Sequence, residues 1–98
     1  MPRTPFAWEV QSRRDVLDDE VARLRELPYT LWRDVLKAPM TRTVSGRDER
    51  SYRLRIAAAY AARHSEDIRV SVTLASRILR RPLMRSSFVI TPDNRFID

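Results

Sequence analysis

The sequence predicts an α+β fold in which one or two N-terminal helices pack on one face of a four-stranded antiparallel sheet. Three observations carry this. Tyr52, Leu54 and Ile56 alternate with Ser51, Arg53 and Arg55. Ile68, Val70, Val72 and Leu74 alternate with Arg69, Ser71 and Thr73. A period of two marks a strand with one buried and one wet face. Upstream, Leu17, Val21 and Leu24 recur at helical spacing, which predicts a helix over residues 13–26.

Residues 1–11 read as an N-terminal arm, with 12–98 forming a single domain. Phe6, Trp8 and Val10 alternate, so a short strand competes with an arm lying on the core. Ser12 reads as the helix cap, with Asp15 completing a weak capping box. Asp15, Asp18, Asp19 and Glu20 then suit the positive end of the helix dipole. Pro28 interrupts, and Leu31, Val35 and Leu36 continue a helical pattern over 29–37, which Pro39 ends. Tyr29 and Trp32 read as core aromatics rather than a ligand platform.

Thr41 to Ser45 is the first predicted strand. Gly46, the only glycine in the chain, reads as the positive-φ residue of a turn shared with Arg47 and Asp48. The return strand spans Arg50 to Ile56. Residues 57–62, Ala-Ala-Ala-Tyr-Ala-Ala, suit a short helix by propensity. The alternation, however, continues through Ala58 and Tyr60, which favours an extended strand into a polar turn at Arg63–Asp67. The third strand covers Ile68 to Leu74. Residues 75–86, interrupted by Pro82, read as a loop or one helical turn. Phe88 to Thr91 is the fourth strand, Pro92-Asp93-Asn94 a turn, and Arg95-Phe96-Ile97 a brief return beside it.

Three segments resemble a group of small, uncharacterised bacterial α+β domains. They are Leu27-Pro28-Tyr29 leading into Leu31-Trp32-Arg33; Arg42-Thr43-Val44-Ser45-Gly46 with Tyr52–Ile56 and Asp67–Val70; and Pro82-Leu83 with Ser87–Ile97. The likeness covers about residues 24–97. It implies a helix followed by an antiparallel meander and carries no activity. Residues 57–62, 63–66 and 76–81 depart from the group's pattern.

Composition narrows the function. The chain holds 19 basic and 13 acidic residues. Residues 1–39 balance seven of each, whereas residues 40–98 hold twelve arginines against six acids, so the whole net charge of +6 lies in the predicted sheet region. Arginine favours bidentate contact with phosphate or carboxylate; it is also ordinary surface in proteins encoded by GC-rich genomes. The absence of cysteine excludes disulfides and thiolate zinc sites and fits a reducing cytoplasm. No apolar run approaches the roughly 20 residues of a membrane span, and no secretory signal opens the chain.

No motif for a catalytic site, metal or cofactor stands out. His64, the single histidine, lies beside Glu66 and Asp67 in a predicted turn, where a solvated role outweighs a metal site needing three or four ligands. A serine nucleophile lacks a base. The candidate surface is basic: Arg53, Arg55 and Arg69 on the outer sheet face, with Arg77, Arg80, Arg81 and Arg85 in the next connection. The sequence therefore favours a non-enzymatic domain acting through protein contacts, a homodimer through its outer face included. The alternative is a nucleic-acid-binding protein using the arginine face. Tyr52-Arg53-Leu54-Arg55 also invites comparison with toxin-type ribonucleases, in which arginine stabilises phosphate charge.

Overall fold

A computed structural model describes residues 5–46, 49–77 and 81–97, with side chains from Val10 onward. Two helices, α1 (Pro5–Leu24) and α2 (Tyr29–Val35), precede five strands: β1 (Met40–Ser45), β2 (Ser51–Tyr60), β3 (Ile68–Ser76), β4 (Pro82–Ile90) and β5 (Phe96–Ile97). The strands form one sheet in the order β1-β2-β3-β4-β5, every neighbouring pair antiparallel. Each strand thus lies beside its neighbour in sequence, the arrangement that short connections favour.

The sheet has five strands rather than the expected four, because the return at Phe96–Ile97 pairs with Val89 and Ile90. Helix α1 is also longer than predicted. Pro5, suited by its fixed φ to a first helical position, opens it, so residues 5–11 are helical rather than an arm or a strand. Ser12 consequently sits inside the helix, buried, instead of capping it. The acids Asp15 to Glu20 follow well after the first turn, which contains none, so they do not serve the positive end of the dipole.

The core draws Val16, Leu17 and Leu24 from α1 and Tyr29, Trp32 and Val35 from α2. From the sheet come Tyr52, Leu54, Ile56, Ile68, Val70, Val72, Leu74, Phe88 and Ile90. By strand register these nine share one side of the sheet, the inner face. Trp32 is fully buried and meets Phe88 edge-on, ring centroids 5.8 Å apart. Phe88 in turn meets Phe96, and the Arg25 guanidinium lies over the Phe96 ring, 4.9 Å from its centroid.

The alanine-rich stretch is strand as far as Tyr60. Ala57, Ala58 and Ala59 pair with Ser71, Val70 and Arg69, so ladder pairing prevails over alanine's helix propensity. Of residues 75–86, read as loop or one helical turn, Ala75 and Ser76 instead finish β3 and residues 82–86 open β4. Proline is tolerated there because it occupies the strand's first position. A register shift at Leu74/Ala75 interrupts the β3–β4 ladder.

Two hairpins close alike. Gly46 N–H donates to the Arg50 carbonyl, and Glu49 N–H to the Gly46 carbonyl. Thr91 N–H donates to the Arg95 carbonyl, and Asn94 N–H to the Thr91 carbonyl. In each, the residue two before the return strand takes the left-handed region: Glu49 with φ 62° and Asn94 with φ 64°. A three-residue connection places its left-handed residue last. Gly46 stands before that position, and its φ is not positive, contrary to the sequence expectation. The other two residues assigned to this turn, Arg47 and Asp48, lie outside the described residues.

Asn94 also reaches back to the helical layer. Its Oδ1 accepts the Tyr29 backbone N–H at 2.8 Å. The N-cap position of α2 is Pro28, which makes no side-chain cap bond. The cap comes from 65 residues away in sequence, tying the start of α2 to the β4–β5 turn. Among the described residues, no helix is long and apolar enough to cross a membrane.

Candidate nucleic-acid interface

The face of the sheet opposite the core is built by the same alternation. On β2 it carries Ser51, Arg53, Arg55, Ala57 and Ala59, and on β3 Arg69, Ser71, Thr73 and Ala75. β1 adds Thr41, Thr43 and Ser45; β4 adds Arg85, Ser87 and Val89. Arg55 lies opposite Thr41 and Thr73, and Thr73 lies opposite Arg85. Arg55, Thr73 and Arg85 therefore form a row across three strands. Arg53, opposite Thr43 and Ala75, begins the next row. Arg69 stands between Ala59 and Val89 toward the other end of the sheet. Strand geometry places the Cα atoms of Arg53 and Arg55 about 7 Å apart, and those of Arg55 and Arg85 about 10 Å apart.

All four of these arginines are exposed. Among the described residues, this face carries no aspartate or glutamate, and the four arginines make no ion pair. Several arginines elsewhere are engaged. Arg23 and Arg42 both pair with Glu20, whose side chain is only 5% exposed, and Arg95 pairs with Asp93. Arg42 points to the inner side of β1, opposite Leu54, which brings it to α1 and sets it apart from Arg53 and Arg55. The groove between α1 and β1, about 450 Å³, is lined by Asp15, Asp19, Glu20, Arg23 and Arg42, so its charges largely offset one another.

Of the residues singled out from sequence, Arg53, Arg55 and Arg69 thus share the outer face. Arg77 and Arg81 are exposed at the sheet end where β3 passes to β4, a hairpin closed by the Ser76 N–H to the Arg81 carbonyl. Arg80 lies outside the described residues. Arg85, assigned to a connection, belongs to the face. Its signal was parity: three residues before Phe88, which faces the core, it points the opposite way along an unbroken strand.

The chemistry available on this face is anion binding. Guanidinium groups present fixed forks to phosphate or carboxylate oxygens, and the serine and threonine hydroxyls between them add weaker donors. No aromatic side chain lies on this face among the described residues, since Tyr52 is buried in the core, so stacking of single-stranded bases has no platform. His64 is exposed, with φ 64°, in the β2–β3 turn at the opposite end of the sheet from Arg53 and Arg77. Burial, reinforced by Tyr60 and Glu66, holds the Tyr29 phenol above its usual pKa. The Thr91 hydroxyl, aided by a backbone N–H and Arg95, holds the Asp93 carboxyl below its usual range. Both groups lie away from the arginine face. Among the described residues, no three potential metal ligands gather.

Comparison with protein families, curated proteins and solved structures gives no match to this chain.

Proposed function

We propose that the chain is a non-enzymatic binding domain whose arginine face takes the phosphate backbone of a nucleic acid. In this reading both helices cover the inner sheet face and leave the outer face to its partner. The observation that carries it is the exposure of Arg53, Arg55, Arg69 and Arg85 on a face with no described acid. Contacts of this kind neutralise phosphates without reading bases, so binding is salt-sensitive and largely indifferent to sequence. The small side chains between the arginines leave the surface open to a polymer rather than enclosing a compact ligand.

The charge pattern favours this over the protein-contact reading in its homodimer form. A two-fold interface sets a patch against itself, and here arginine would face arginine with no acid to answer it. The ribonuclease reading lacks a general base on the face, since His64 sits at the far end of the sheet. The test is fluorescence anisotropy of labelled 20-mer DNA and RNA across a salt series. Binding at low salt that weakens steeply and equally for unrelated sequences supports the proposal. No binding at low salt overturns it.

A further inference from the structure

Strand β1 forms one edge of the sheet, and its far side meets no other strand among the described residues. The opposite edge is only the two residues of β5, whereas β1 offers six. Sheet edges are ordinarily blunted by proline, a bulge, charge or a covering segment. β1 has no proline, pairs with β2 without a register shift, and carries one charge, Arg42, which bonds Glu20 on the inner side. Gly46 N–H points into the hairpin, to the Arg50 carbonyl. Alternation along an antiparallel ladder then turns the N–H and C=O groups of Thr41, Thr43 and Ser45 away from β2, toward the open edge. All three residues are exposed, and no described residue hydrogen-bonds those outward groups.

We infer that a second copy of this chain pairs with this edge, β1 against β1, antiparallel about a two-fold axis at Thr43. Directly opposed residues share a face, so a two-fold axis must pass through a residue rather than between two. An axis at Arg42 would set two guanidinium groups opposite each other, which is destabilising. An axis at Thr43 sets Thr43 against Thr43, Thr41 against Ser45 and Arg42 against Val44 of the second copy. Axes nearer either end pair fewer residues. Charge supports the same register. Val44 lines the α1–β1 groove together with Asp19, an exposed carboxylate with no ion pair among the described residues. Arg42 of the second copy, opposite Val44, arrives at that groove. Pairing at the edge joins two five-stranded sheets into one and covers neither arginine face, unlike a face-to-face dimer. Arg53 lies opposite Thr43, so the two Arg53 residues stand three strand spacings apart, about 14 Å, beyond the Debye length of about 8–10 Å. The inference is independent of what the arginine face binds.

The test is sedimentation equilibrium across the micromolar range on the wild-type chain and on Thr43→Pro. Because Thr43 N–H points away from β2, proline there removes the central bonds between copies without breaking a ladder bond within one; circular dichroism melts verify that the variant folds. The wild type is expected to dimerise, and the variant to lose about tenfold or more in dimer affinity. A second measurement does not depend on that variant. The chain has no cysteine, so Thr43→Cys and Thr41→Cys each introduce a single thiol. On the axis, hydrogen-bonded partners stand about 5.5 Å apart at Cα, within disulfide reach. The two Thr41 residues are four strand positions out of step, about 13 Å apart, and beyond it. Mild oxidation should therefore cross-link Thr43→Cys into a covalent dimer about tenfold or more faster than Thr41→Cys. A wild-type chain that stays monomeric across the range, a dimer unmoved by Thr43→Pro, or equal cross-linking of the two thiol variants overturns the inference.

Discussion

Reversing Arg53 and Arg55 together tests the arginine face most directly. Both are exposed, and their cross-strand neighbours are Thr41, Thr43, Thr73 and Ala75, so glutamate at these positions breaks no cross-strand ion pair. The melting temperature should move little, as surface substitutions away from special features stay within about 0.5 kcal/mol. Binding should change greatly. With four phosphates neutralised by Arg53, Arg55, Arg69 and Arg85, the logarithm of the association constant falls with the logarithm of salt at a slope of about −3.6 on a duplex. Raising salt from about 50 to about 200 mM then costs about 150-fold in affinity; on a single strand, with a slope of about −2.8, it costs about 50-fold. The double variant keeps two contacts, so its slope drops to about −1.8 and the same salt step costs only about 12-fold. Anisotropy titrations at five salt concentrations measure both slopes. A variant slope equal to the wild-type slope would refute the assignment of these two side chains, even if overall affinity had fallen.

Three further predictions concern the scaffold. Glu20→Gln removes the carboxylate that binds Arg23 and Arg42; because both arginines can return to water, the expected cost is about 1–2 kcal/mol, read as a calorimetric drop of about 4–8 °C per kcal/mol. A melt within one degree of wild type would contradict it. Asn94→Gly loses the α2 cap but keeps the left-handed backbone, whereas Asn94→Ala loses both, so stability should rank Asn94 above Gly above Ala, with steps of about 1 kcal/mol. Tyr29 donates its hydroxyl to the Glu66 carbonyl at 2.5 Å, and its pKa is raised in the folded state. Its stabilising contribution is therefore full below the unfolded phenol value near 10 and is lost as pH rises from there through the folded value. Tyr29→Phe should flatten that alkaline decline in urea midpoints; an unchanged slope would reject the assignment.

The arginine positions on β2 and β3 were readable because strict alternation fixes the side of every residue once one face is apolar. Arg53, Arg55 and Arg69 followed from Leu54, Ile56 and Val70 alone. The same rule failed for β4, where only Phe88 and Ile90 carry a clear apolar pattern and Met84 and Leu83 straddle the irregularity in pairing with β3. Pro82 compounded the error, since a proline looks like a break until its neighbour strand shows that it starts one. The beginning of α1 was hidden for a different reason: Phe6, Trp8 and Val10 mimic strand periodicity. The acidic run at Asp15–Glu20 also resembles a first turn, although the helix had already run for ten residues.

The composition of the open face also discriminates among partners that carry negative charge. A protein with an acidic surface and a nucleic acid would both be attracted to Arg53, Arg55, Arg69 and Arg85, and both would be weakened by salt. They differ in how. A polyelectrolyte holds a condensed counterion layer that is released on binding, so affinity follows a straight line in logarithmic salt whose slope counts the contacts. An acidic protein holds no such layer; its attraction is screened over a Debye length of about 8–10 Å near physiological ionic strength and flattens as salt rises further. The contact number read from the slope must also agree with the four arginines on the face, and it must fall by one with each single arginine removed. An acidic protein partner would satisfy neither condition, so the stepwise loss of slope in single variants identifies the class of partner without knowledge of the partner itself.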